Sequence, residues 1–204
     1  MAMMINEAAL EERLRQERAA CGADRYDEVW EGVYMMAPMP NNDHQRIVGR
    51  LTRVLDEIVT DRQLGEVFPG ANVSDRVEDW DQNYRVPDVA VFLKHSQAVN
   101  HGTFWFGGPD FAVEVVSPND QSRDKLDFYG KVKTRELLII DREPWQLELF
   151  RHQGSQMVSV ASATSADGMS ITSKVLPLEV SLRLVDHTPR VYVVDPSTNK
   201  SWTL

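Results

Sequence analysis

The 204-residue sequence holds a single cysteine, Cys21, so it can form neither an internal disulfide nor a thiolate zinc site. That scarcity suits a reducing compartment, and a cytoplasmic protein is expected. No apolar run approaches the roughly 18 residues that cross a bilayer, so no membrane partner is expected. The stretch from Met1 to Arg18 is charged and helical in pattern, unlike a signal peptide. Positive charge is also scarce: 22 Lys and Arg face 31 Asp and Glu, a net charge of -9. A general nucleic-acid coat is thereby disfavoured, while a local basic groove stays open. The chain lacks a glycine-rich phosphate loop and a Gly-x-Ser-x-Gly elbow. Asp79-Trp80-Asp81-Gln82-Asn83 imitates the start of a calcium loop. However, Tyr84 stands where the sharp turn needs glycine and Ala90 where the closing acid belongs.

The length suits one domain, or one domain with a small appendage, and the hydrophobic content, 42%, is enough for a real core. Residues 6–20 are rich in helix formers but poor in apolar anchors, which predicts a helix packed loosely or against a partner. Val29 to Ala37 reads as a strand ended by Pro38 and Pro40. A helix then follows, capped by Asp43, in which Ile47, Val48, Leu51, Val54, Leu55 and Ile58 recur at helical spacing. Gly65 to Val77 reads as an extended hairpin arm, and Asp120 to Lys133 as a second core helix. Glu136 to Asp141, Trp145 to Phe150, Met157 to Ala161, Leu176 to Leu184 and Arg190 to Asp195 read as strands. The order predicts an α/β or α+β fold, a mixed sheet with helices on its faces. The expected division is a helical extension over 1–24, a main domain over 25–186 and a terminal strand or tail over 187–204.

Two apolar runs carry acids. In Val86-Pro87-Asp88-Val89-Ala90-Val91-Phe92 the acid heads the run, and in Phe111-Ala112-Val113-Glu114-Val115-Val116 it lies inside. An ionised carboxylate buried without a partner costs several kcal/mol or more, so it requires a cation, a metal or a raised pKa. Paired acids holding a divalent metal at a sheet edge satisfy both runs at once. Hard oxygen donors of this kind suit Mg2+ or Mn2+, which keep several waters and take only one or two carboxylates.

These residues, with Glu31-Gly32, His44, Ser117-Pro118, Asp124-Lys125, Tyr129, Glu136 and Ile140-Asp141, occur in an order that resembles the Uma-two family of restriction endonucleases, a branch of the PD-(D/E)XK nuclease superfamily. The resemblance runs from about residue 25 to 184. It implies a restriction-endonuclease-like mixed sheet, a Mg2+- or Mn2+-dependent endonuclease and DNA as substrate. Asp88, Glu114 and the backbone carbonyl of Val115 match the metal ligands, and Glu31 matches an additional acid near the metal. The superfamily's lysine lies two residues after the acid, where this chain has Val116. Lys125 is the matching residue, displaced to the following helix with Tyr129 one turn beyond on the same face. A homodimer is expected by analogy, since cutting both strands of a duplex suits two-fold symmetry.

Each residue also has a plainer reading. Asp88 can be a turn acid after proline, Lys125 a solvated helix residue beside Asp124 and Asp127, and Glu31 an exposed strand acid. His44 can be a helix-end residue with a local hydrogen bond, and Tyr129 a core residue with its hydroxyl at the surface. Arg46, Arg50 and Arg53 form a basic stripe on the first core helix, either a solvated face or a phosphate contact. Lys94, Lys131, Lys133 and Arg135 extend that surface only if the fold gathers them. The alternative function is a nuclease-like scaffold without catalysis that works through protein or nucleic-acid contacts.

Overall fold

The computed structural model describes residues 8–117 and 121–204. Its centre is a six-stranded mixed sheet in the order 156–164, 145–153, 136–142, 111–115, 89–93, 65–68. Phe111–Val115 and Glu136–Arg142 run parallel, with Glu114 opposite Ile139, and the other neighbours are antiparallel. Side chains on a strand alternate between faces, so each central strand supplies two cores. Val89, Val91, Phe111, Val113, Leu138 and Ile140 pack on one side beneath helix α2 (Asn42–Leu55). Ala90, Phe92, Ala112, Leu137 and Ile139 pack on the other against helix α3 (Leu126–Lys131). Glu114 has the parity of Ala112 and therefore faces α3.

The apolar spacing of α2 is met in full: Ile47, Val48, Leu51, Val54 and Leu55 are buried, and a π-helical turn over Asp56–Thr60 adds Ile58 and Val59. Its cap is Asn41 rather than Asp43. The Asn41 Oδ1 accepts the His44 N–H at 2.9 Å, whereas Asp43 pairs with Arg46 at 2.9 Å. Arg50 and Arg53 are exposed, as a solvated stripe requires. The second helix is shorter than expected. A 3-10 turn over Ser122–Lys125 leads into α3, while Pro118 and the anticipated helix start at Asp120 lie outside the described residues.

The run expected as one strand from Val29 is a hairpin, Glu28–Trp30 and Val33–Met35, because Glu31 (φ 48°) and Gly32 (φ 83°) both turn left-handed between them. This hairpin starts a second sheet, in the order 33–35, 28–30, 84–85, 73–74, 105–106, 99–100. The anticipated arm from Gly65 divides accordingly: Gly65–Phe68 joins the central sheet and Val73–Ser74 the second. The N-terminal helix α1 (Ala8–Cys21) is tied down by Arg18, which donates to both oxygens of buried Asp27 at 2.5 and 2.6 Å. A third sheet comprises 170–172, 179–185, 188–195 and 200–203. Asp186 and His187 form a hairpin turn within it, so the expected 186/187 division falls between two fully paired strands. Among the described residues no helix is long and apolar enough to cross a membrane.

One close approach sets the edge of the central sheet. A Cβ on Gly65 would lie 2.2 Å from the Phe92 carbonyl oxygen and 2.7 Å from the Leu93 Cα. Replacing a strand glycine by alanine ordinarily lowers the entropy of the unfolded chain and stabilises. Here the clash is with backbone, and Gly65→Ala is expected to destabilise by about 1–3 kcal/mol. A lower urea midpoint with an unchanged m-value would be the result.

Candidate active site

Glu28, Asp88, Glu114, Lys125 and Tyr129 are drawn to one end of the central sheet, where the second sheet, α3 and the N-terminal turn of α2 meet it. Glu114 is 3% exposed in the strand that α3 covers. The Lys125 ammonium sits 3.0 and 3.2 Å from its two oxygens, and the Tyr129 hydroxyl donates to Oε1 at 2.5 Å. Lys125 and Tyr129, one helical turn apart, thus converge on a single carboxylate. Lys125 also contacts Glu28 Oε1 at 2.8 Å. Asp88, immediately before the neighbouring antiparallel strand, accepts the Val115 N–H on Oδ2 at 2.7 Å and stands 3.2 Å from His44 Nε2. His44 Nδ1 is buried and has no hydrogen-bond partner among the described residues. That hydrogen bond to Asp88 ties α2 to the same cluster.

Glu31 does not join this group. The positive-φ turn points it outward, 64% exposed, to Asn83 Nδ2 at 2.9 Å, Arg76 at 3.2 Å and Lys131 at 3.4 Å. Glu28, three residues earlier, is the acid of this hairpin that meets Lys125. Its Oε1 accepts the Val86 N–H at 2.8 Å and its Oε2 the Trp30 indole N–H at 2.6 Å. The sequence did contain a cue. Glu28 opens the first strand and Asp27 immediately precedes it, so both acids abut the apolar run from Val29. Both are buried, Asp27 against Arg18 and Glu28 against Lys125. Arg85 was also missed. It is 5% exposed, donates to the Val29 carbonyl at 2.9 Å, and is sandwiched between Trp30 and Phe128 at 4.5 and 4.4 Å.

The electrostatics follow from two carboxylates on one ammonium, with Asp88 acting on Glu114 from beside them. Burial pushes the Glu114 carboxyl up to about 8; Lys125 opposes this, Asp88 and Glu28 push in the same direction as burial, and the Tyr129 hydrogen bond opposes it. Burial likewise raises Tyr129 well above the ordinary phenol range, so its hydroxyl remains a donor. The donor set fits a divalent cation in type and charge: oxygen donors with a surplus of negative charge. Among the described residues no three His, Cys, Asp or Glu side chains are already gathered as a metal cage. Magnesium does not require one, since one or two carboxylates and retained waters suffice.

Residues 12–185 match the model of the family described as Uma2, "Putative restriction endonuclease". The chain belongs to the Uma2 family. A solved structure of a protein described as a "putative nuclease belonging to DUF820", from Anabaena variabilis ATCC 29413, is similar in fold, with a TM-score of 0.57. It is 18% identical in sequence, and the match covers 72% of this chain and 80% of that one. No curated protein matches significantly. The mixed α+β architecture is shared with that neighbour, and the family supports a nuclease role.

Proposed function

We propose that this chain is a metal-dependent endonuclease that hydrolyses phosphodiester bonds of DNA. The observation that carries the reading is Lys125 seated on Glu114, at 3.0 and 3.2 Å. An ammonium beside the acidic strand replaces, from α3's approach, the lysine that Val116 cannot supply. Asp88, Glu114 and the carbonyl of Val115 would hold Mg2+ or Mn2+. Such an ion would polarise the phosphoryl oxygens and neutralise the charge that develops on them. Lys125, held between Glu114 and Glu28, orients the attacking water by donating hydrogen bonds. Glu28 and Tyr129 position that lysine and its carboxylate partner. His44 fixes Asp88, whose second anchor is the Val115 N–H. A homodimer accompanies this reading through the two-fold symmetry of duplex cleavage, and a cytoplasmic location through the single cysteine.

The competing reading, a nuclease-fold binding module without catalysis, is favoured by one feature: Val116, at the usual lysine position, packs against the apolar core on the α3 side. Calorimetric titration with magnesium and manganese separates the two. Binding of either ion that disappears in Asp88→Ala is expected. If neither ion binds the wild type measurably, the hydrolytic reading loses its physical basis.

A further inference from the structure

A cleft of about 560 Å3 opens at the opposite end of the central sheet from the carboxylate cluster. Asp110, on its wall, precedes the strand that carries Glu114 near its far end, and four residues at about 3.3 Å each separate them by about 13 Å. α3 connects the two ends. Lys125 and Tyr129 approach Glu114 at its start, while Val132, just past its last turn, accepts the Gly108 N–H at 2.7 Å beside the cleft. Lys131, Lys133 and Arg135 line the cleft together with the half-exposed ring of Phe106.

In a chain of net charge -9, this cleft gathers three cations and an exposed aromatic ring around two acids, Asp75 and Asp110. Two of the cations are neutralised in place: Lys131 lies 2.5 Å from Asp75, and Arg135 lies 3.0 Å from Asp110. Lys133 has no ion pair among the described residues and is exposed. Its backbone is left-handed, with φ 64°, a conformation that glycine or asparagine adopts more readily than lysine.

We propose that this cleft is a nucleotide subsite, with Lys133 meeting a phosphate and Phe106 stacking on the base. Its volume lies within the range of small-ligand sites, and a cation beside an aromatic face is the combination that single-stranded nucleic acid and nucleotides recognise. The shared chemistry is a nucleoside phosphate, supplied either as a free mononucleotide or as a unit of a single strand. The site does not rest on the hydrolytic reading, because it neither contains the carboxylate cluster nor requires a metal.

The test uses the full chain in EDTA, with deoxyadenosine 5′-monophosphate, inorganic phosphate and a fluorescein-labelled single-stranded dodecamer as probes. Lys133→Gly relaxes the backbone at that position and so preserves the fold, which an unchanged thermal midpoint checks. Wild type is expected to bind the mononucleotide, the dodecamer or both. Lys133→Gly should weaken that binding about tenfold and lower the salt slope by about one. Phe106→Ala should weaken binding of the nucleotide probes while leaving that of inorganic phosphate unchanged. Tighter binding of the dodecamer identifies a strand as the source, and equal binding a free nucleotide. Failure of wild type to bind either nucleotide probe at millimolar concentration overturns the proposal. So does binding that is the same in Lys133→Gly as in wild type. Because cleavage is never read, loss of the nuclease assignment would leave this result standing.

Discussion

Lys125→Ala is expected to lower magnesium-dependent nicking of supercoiled plasmid by about a hundredfold or more, the range that loss of a group acting on the attacking water produces. The ammonium is 12% exposed and lies between Glu114 and Glu28, and no other lysine or arginine forms an ion pair with either acid among the described residues. Lys125→Arg is not a conservative rescue here, because the guanidinium is planar and larger than the space an ammonium fills. The variants also divide the labour. Asp88→Ala should lose ion binding and cleavage together. Lys125→Ala should keep ion binding, since removing the ammonium leaves more uncompensated negative charge, and lose cleavage alone. Glu28→Gln should give an intermediate loss by loosening the lysine. Glu31→Ala, at an exposed acid turned toward Arg76 and Lys131, should stay within about twofold of wild type. Calorimetry beside initial nicking rates reads all four. A Lys125→Ala enzyme as fast as wild type would remove Lys125 from the reaction.

Without metal, the protein should become less stable as pH rises from about 4.5 toward 8, by an amount on the order of a few kcal/mol. The sign follows from linkage. Glu114 is held protonated in the fold up to about 8, while in the unfolded chain it releases its proton near the ordinary value of 4.5. Over that window the folded state carries the extra proton, so raising the pH favours unfolding. Above the window the fold must contain a buried anion, offset by Lys125 and the Tyr129 hydroxyl. Glu114→Gln should flatten this slope, and urea midpoints across the pH range measure it. Magnesium should act in the opposite sense, because a cation bound by ionised Glu114 displaces a proton. Its affinity is expected to rise with pH until Glu114 is fully ionised, and millimolar magnesium should recover stability at pH 8. A pH slope unaltered by Glu114→Gln would place the titration on another group.

Much of the site was legible because burial of charge leaves a mark in sequence. Glu114 lies inside Phe111-Ala112-Val113-Glu114-Val115, and an acid within such a run has to be compensated wherever the strand ends up. Asp88 gave the same cue from the head of its run. The four-residue spacing of Lys125 and Tyr129 was enough to place them on one face. Glu31 and Glu28 show where that kind of reading stops. Both lie near the first apolar run, and the choice between them depended on where the hairpin turned. Glu31 and Gly32 adopt left-handed backbone, which breaks the expected strand and rotates Glu31 into solvent. The helix cap shows the same limit on a smaller scale: Asn41 and Asp43 are both competent, and the loop that leads through Pro40 into the helix selects Asn41.

The sequence by itself determined the mixed α+β class, the apolar face of α2, the acid-bearing strands and their family, because periodicity and buried charge are properties of short segments. Only the tertiary structure decided which acid meets Lys125, that Arg85 lies between two aromatic rings, and that Lys133 lines a cleft rather than a featureless surface. Those outcomes depend on contacts between residues far apart in the chain, such as Glu28 with Lys125 and Asp88 with Val115. Their partners are selected by sheet order and turn geometry, and no local pattern encodes either.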